Sequence, residues 1–209
     1  MRTLDDPTWT RCSKAAEDLR PQFTFLLRAA AYVGDPNSSE QIHSGQYDRP
    51  LRLPSFAARE PLAPTAAEAL GHELELAGYY RQLMELTGPA PGPGALGYWL
   101  GLGFISEEAE SEIAFPWWDQ VSDAAPFFAW LRSADDDADF LDGDQGWMLR
   151  AARKGDRLHF QHSALETEEE FANLSVSRGA FLSRLDAAES EVRTVIAGLK
   201  RELGVDPWS

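Results

Sequence analysis

From Ser177 to Gly204 apolar residues return at three- and four-residue steps: Phe181, Leu185, Ala188, Val192, Val195, Leu199 and Leu203, with charge on the opposite face. That period predicts a long amphipathic helix, closed by Gly204. Just upstream the period shortens to two. "GWMLRAAR" and "DRLHFQH" flank "KGD", a hairpin turn signal, and "FANLSVS" alternates as a third strand. In "PTAAEALGHELELAGYYRQLMELTG", Thr65 and Glu68 form a capping box just after Pro64, and Gly88 closes the helix. Leu70, Leu74, Ala77, Tyr80 and Met84 make one apolar stripe, and Leu76, Tyr79, Leu83 and Leu86 a second. A helix apolar on two sides belongs near the centre of a fold.

"SKAAEDLRPQFTFLLRAAAYVG" also reads as helix, with Phe23, Leu26, Leu27, Ala30 and Tyr32 on its apolar face. Pro21 sets a kink or a fresh start there, and Gly34 a stop. "DPNSSEQIHSGQYDRPLRLPSF" is rich in turn formers and predicts an exposed connection. "PAPGPGALG" predicts a joint leading into a strand, "YWLGLGFI", whose glycines mark close approach of another backbone. "SDAAPFFAWLRS" predicts a short helix capped by Ser122, with Phe127, Phe128 and Leu131 buried. Together these elements predict an α+β fold: a helical N-terminal half and a small antiparallel sheet, hairpin plus third strand, backed by the long C-terminal helix. Residues 1–209 are expected to form a single domain, mainly helical over 1–88 and sheet-containing over 95–209.

Charge changes the picture. The chain of 209 residues carries a net charge of −15. That argues against nucleic acid and against an anionic membrane surface as ligands, since both need clustered Lys and Arg. A partner drawn by this field carries positive charge. The single cysteine, Cys12, excludes an internal disulfide, a Cys-based zinc cluster and a CxxC redox motif, and fits a reducing compartment. "MRTLDDPTWTRCSKAAEDL" has no apolar core of signal-peptide length, and no later run approaches a membrane span, so a cytoplasmic location is expected.

The charge is also concentrated. Ser106 through Met148 holds twelve acids against one base, Arg132, which is −11 of the −15. Four of the seven tryptophans, Trp117, Trp118, Trp130 and Trp147, lie in the same segment. Most of its aromatics are expected in the core. "FPWWD" is the exception, because adjacent tryptophans point in different directions. At the centre is "SADDDADFLDGDQGW", read as a solvated turn leading into a strand at Trp147.

Sequence motifs for chemistry fail on inspection. Asp135, Asp137 and Asp139 alternate like an EF-hand loop, but that loop needs Gly at its sixth position and Glu at its twelfth. Phe140 and Gly146 stand there. "GPGALG" matches a dinucleotide pattern in reversed context, after a helix and before a strand. "HELEL" lacks the second histidine of a zinc protease, with Leu76 in its place. His159 and His162, three apart in a strand, face opposite sides of a sheet and cannot share a metal. His43 sits in a loop with no acid or thiol nearby. No metal, cofactor or catalytic residue is therefore assigned, and a non-enzymatic role is expected.

The stretch "DQGWMLRAARKGDRLHFQ", the acidic "ETEEE", "FANLSVSRGAFLSRL" and the closing "LGVDPWS" resemble small bacterial immunity proteins, encoded beside polymorphic or contact-delivered toxins. The likeness covers the last third of the chain and contains no catalytic motif. It implies a cytoplasmic protein that binds and neutralises a cognate toxin in bacterial competition. A nuclease or other nucleic-acid-directed toxin, with its basic face, would match the acidic surface. Partner-binding residues are expected at Trp117, Trp118, Asp119, Asp135, Asp136, Asp137, Asp139, Asp142 and Asp144. A non-catalytic adaptor or chaperone for a secreted effector is the second expectation, and an enzyme without a recognisable linear motif the third.

Overall fold

The structure is a computed structural model that describes residues 8–35, 37–88, 97–115, 120–133, 139–144, 146–167 and 169–208. Among them are six helices and ten strands. In chain order the first half contains α1 (Thr8–Arg11), β1 (Lys14–Ala15), β2 (Arg20–Leu26), β3 (Ala30–Tyr32), α2 (Ser39–Ser44), β4 (Asp48–Pro50), α3 (Ala66–Ala69) and α4 (Glu73–Thr87). Then follow β5 (Trp99–Ser106), β6 (Ser111–Phe115), α5 (Ala125–Arg132), β7 (Phe140–Asp144), β8 (Trp147–Lys154), β9 (Arg157–Ala164), β10 (Glu170–Ser177) and α6 (Arg178–Leu203). The strands form three sheets, ordered β1-β10-β9-β8-β7, β2-β5-β6 and β3-β4.

This arrangement corrects the expected one. The chain is α+β, but its helices are not gathered in the N-terminal half and strands dominate its middle. The segment predicted as helix from Ser13 to Gly34 forms β1, β2 and β3. Burial along β2 alternates strictly, with Pro21, Phe23 and Phe25 inward. Phe23 and Phe25 fit that two-residue period as well as they fit a helical face. The backbone partners decide between the two: the Phe25 N–H donates to the Pro64 carbonyl and the Leu27 N–H to the Leu62 carbonyl. The segment predicted as a loose connection contains α2, with His43 inside it, and β4.

The single helix predicted after Pro64 is two. The Thr65–Glu68 capping box is present, but it caps α3, which ends at Ala69 with Leu70 as its C-cap. The chain restarts at Glu73 for α4, and Gly88 ends that helix as expected. Only one face of α4 is buried: Leu76, Ala77, Tyr79, Tyr80 and Leu83 point inward, while Leu74 is exposed. α5 starts at Ala124 without a side-chain cap, so Ser122 does not cap it. "PAPGPGA" falls outside the described residues. The strand predicted after it is β5. The close approach at its Gly101 comes from the Thr24 hydroxyl, which donates to the Gly101 carbonyl at 3.3 Å, rather than from backbone.

The local β signals of the second half produce the expected elements. β8 and β9 pair antiparallel from Trp147↔Ala164 to Lys154↔Arg157, around a two-residue turn at Gly155 and Asp156. β10 joins β9 antiparallel, and α6 follows it directly. Two strands that the periodicity did not signal complete this sheet: β1, parallel to β10, and β7, antiparallel to β8.

By internal contacts the chain divides into two compact units, with the division falling inside β2, β5 and α6. The first comprises Met1–Gln22, Leu102–Trp117 and Asp123–Ala187. Its core is the inner face of the five-stranded sheet, where Phe160 meets Phe104 and Phe181, each at 5.2 Å between ring centroids. Phe127 of α5 packs on Phe140 of β7 at 4.6 Å. Each such aromatic pair adds about 0.5–1.5 kcal/mol beyond the area it buries.

The second unit comprises Phe23–Gly101, Trp118–Ser122 and Ala188–Ser209. It centres on Tyr80, which stacks on Tyr98 at 5.2 Å and meets the fully buried Trp208 edge-on at 4.9 Å. Within it α4 and the later turns of α6 come so close at Gly198 that a Cβ there would lie 2.6 Å from the Glu73 Cγ. Burial pushes the Tyr98 hydroxyl up to about 12 and the Tyr80 hydroxyl well above its ordinary value of 10. Both phenols are therefore neutral at any physiological pH.

Candidate protein-binding surface

Two pieces of the acidic segment, both in the first unit, carry most of its described acids. The earlier piece is the β5–β6 hairpin, paired from Leu102↔Phe115 to Ser106↔Ser111. Its tip, Glu107 to Glu110, is ordered by Asp18, a residue far away in sequence. One Asp18 carboxylate oxygen accepts the Ser106 hydroxyl, and the other accepts the Glu107 and Glu108 N–H groups at 2.8 and 3.1 Å. Ser106 Oγ in turn accepts the Ala109 N–H at 2.9 Å. The Ser106 hydroxyl, aided by those N–H groups and opposed by partial burial, holds Asp18 below its ordinary carboxylate range. Glu110 closes the turn at φ 51, a left-handed conformation that costs a non-glycine residue about 1 kcal/mol or more. Glu107, Glu108, Glu110 and Glu112 are all exposed, and Glu107 also pairs with Arg20 at 2.7 Å.

The later piece is the aspartate-rich stretch Ser133 to Trp147, tied down at its two ends. Ser133 follows α5, and its carbonyl accepts from Arg153 Nη1 at 2.7 Å and from Arg178 Nη2 at 2.6 Å. Arg153 is 1% exposed; it also donates to the Trp130 carbonyl at 2.8 Å, and its guanidinium lies 4.7 Å from the Trp130 ring centroid. Two cations thus sit at the carbonyl end of α5, where the helix dipole is negative. At the far end Trp147 is buried, 5.8 Å from Phe115 and 5.9 Å from His162.

The expected strand does begin at Trp147, as β8, but the residues before it are not all a solvated turn. Phe140–Asp144 is itself a strand, β7, paired from Phe140↔Ala151 to Asp144↔Trp147. Among the described residues β7 is the last strand of its sheet. Asp139 is exposed just before it, Asp142 lies part-exposed within it, and Asp144 is its final residue. Leu141 is 51% exposed. Trp117, Trp118, Asp119, Asp135, Asp136 and Asp137 lie outside the described residues. Of the nine expected partner-binding residues the structure therefore places three, and brings them together on one strand and its entry.

The two strand histidines do face opposite sides. His159 points to the outer face, where its Nδ1 lies 2.8 Å from Ser13 Oγ and its ring meets Trp9 edge-on at 6.3 Å. The Ser13 hydroxyl donates to the Thr10 carbonyl at 2.9 Å, so the imidazole is the donor to Ser13 and the pair closes the end of α1. That arrangement leaves the hydroxyl proton occupied rather than removed by a base. His162 lies between Trp147 and Phe171, whose ring is 5.0 Å away and 54% exposed. Burial lowers the pKa of both histidines, and for His159 the nearby Arg157 and Lys154 lower it further. Among the described residues, no group of three His, Cys, Asp or Glu side chains is placed to hold a metal ion.

Sequence reading missed Asp18, Arg153, Arg178 and β7 as the parts that shape this surface. None carried a local signal: in "FLDGD" the strand period puts Phe140 on the same face as Asp142 and Asp144, so apolar and polar residues do not alternate.

Comparison with known proteins adds no relative. The chain matches no family model, no curated protein and no solved structure. No helix among the described residues is long and apolar enough to cross a membrane.

Proposed function

We propose that this protein is a non-catalytic binding protein of the immunity type, which neutralises a cognate bacterial toxin by covering its basic face. The carrying observation is the segregation of charge: −11 of the net −15 falls between Ser106 and Met148. Six of its twelve acids, Glu107, Glu108, Glu110, Glu112, Asp123 and Asp139, are exposed in the structure. A field concentrated in this way steers a basic partner and raises its association rate by about 10- to 1,000-fold at low salt. The pinned Ser133 and the Asp18-ordered turn support the reading, because pre-ordered groups lose less freedom on binding. On this proposal Trp117 or Trp118 serves as the aromatic anchor and Asp119 as its acidic neighbour.

The test begins with the tagged protein in its native host, using capture in moderate salt and mass spectrometry of what remains bound. The expected result is a stoichiometric basic protein with a toxin domain, whose expression alone is harmful and whose co-expression with this chain is not. Changing Asp135, Asp136, Asp137, Asp139, Asp142 and Asp144 to Asn should then slow association by roughly tenfold or more and flatten its salt dependence. A variant that binds the toxin at the wild-type rate in every salt would remove the acidic surface from the mechanism.

A further inference from the structure

We infer that β7 is a docking strand, onto which a basic extended segment of the partner adds as a further antiparallel or parallel strand of the five-stranded sheet. The inference rests on the toxin-binding reading and specifies how its surface would be used. The sheet register determines which backbone groups are on offer. Lys154 and Arg157 close a two-residue turn, so they form a hydrogen-bonded pair, and such pairs alternate along the ladder. β8 residues Leu149 and Ala151 then direct their N–H and C=O groups at β7, where they meet Asp142 and Phe140. The intervening residues, Leu141 and Gly143, direct theirs away from the sheet. Two residues with outward donors and acceptors on a terminal strand are the template that strand addition uses.

Charge selects the occupant. A second copy of this chain adding through β7 would bring its own Asp139, Asp142 and Asp144 against the same acids, and like charges across a strand pair are destabilising. A strand carrying Lys or Arg at alternate positions meets the opposite situation. Its apolar positions would find Leu141, which is 51% exposed on the sheet face that also bears Arg150, Gln161 and Asn173. The edge is short and acidic, which suppresses self-association and leaves it open to a basic strand.

The test uses the full chain and a defined ligand, an end-capped eight-residue peptide of alternating Lys and Val, with a Glu/Val peptide as control. Amide hydrogen exchange is followed by NMR. Saturating Lys/Val peptide should slow exchange at Leu141 and Gly143 at least ~10-fold, and raised salt should weaken the effect. Leu141→Pro, which removes an outward N–H while leaving the β7–β8 ladder bonds in place, should abolish the protection. Leu141→Lys, which keeps the N–H and adds a repelling charge, should weaken peptide binding at least ~10-fold. Equal protection by the Glu/Val peptide, or none by Lys/Val in the wild type, overturns the docking strand. If the native host yields a toxin that leaves these two amides unprotected, the strand assignment fails while the immunity reading stands. If the peptide adds to β7 but no toxin is recovered, the reverse holds.

Discussion

Tyr80 shows how a buried polar atom can sit inside an aromatic cluster. Its ring is enclosed by Tyr79, Tyr98 and Trp208, yet its hydroxyl has no hydrogen-bond partner among the described residues, like the hydroxyl of Tyr98. A buried hydroxyl without a partner costs its desolvation, about 1–3 kcal/mol. Tyr80→Phe keeps the ring contacts and removes that cost, so it should raise unfolding stability by ~1 kcal/mol in chemical denaturation. Lower stability in this variant would mean that the hydroxyl has a partner in solution. Trp208→Ala, by contrast, opens a large cavity beside Tyr80 and should cost about 3–5 kcal/mol.

At the scale of elements, the β5–β6 tip depends on one carboxylate from outside the hairpin. Asp18→Ala removes the acceptor of the Glu107 and Glu108 N–H groups. Exchange at those two amides should accelerate roughly tenfold, while the Phe104↔Ile113 region of the ladder keeps its protection. Unchanged exchange at the tip would show that the turn holds itself. This dependence also explains what the sequence revealed and what it hid. The β8–β9 hairpin, β10, α6 and the Thr65 capping box are set by neighbours within a few residues, and all were legible. β2 was misread because "QFTFLL" satisfies a helical and a strand period together, and its backbone partners, Pro64 and Leu62, lie some forty residues away in sequence. β7 was misread because Asp and Gly are poor strand formers, and only the neighbouring β8 supplies its ladder. Of the candidate surface, the concentration of acid could be counted directly. The parts that shape it could not, because Asp18, Arg153 and Arg178 act on residues distant in the chain.

For the whole molecule, the two strand histidines and the ordered carboxylates set two windows of acid sensitivity. His159 and His162 have folded pKa values below their ordinary 6.5, so the unfolded chain binds more protons than the folded one at mildly acidic pH. The stability they contribute is present above pH 6.5 and is lost as pH falls through their folded values. Glu17, Asp18, Glu68 and Glu75 are also held low, so their contribution is lost only below their ordinary values of 4.5 or, for Asp18, 3.8. Denaturant midpoints should therefore decline between pH 7.5 and 5.5, and the double variant His159→Gln, His162→Gln should flatten that slope. An equally steep slope in the double variant would assign the effect to other groups.

Both units are assembled from separated stretches of chain, and the second closes its aromatic cluster only with Trp208. On the ribosome, Tyr80 and Tyr98 must therefore wait until residue 208 has emerged before their indole partner arrives. The first unit is whole once residue 187 has emerged, but the second is not, so its aromatic residues stay exposed to chaperones when the first can already fold.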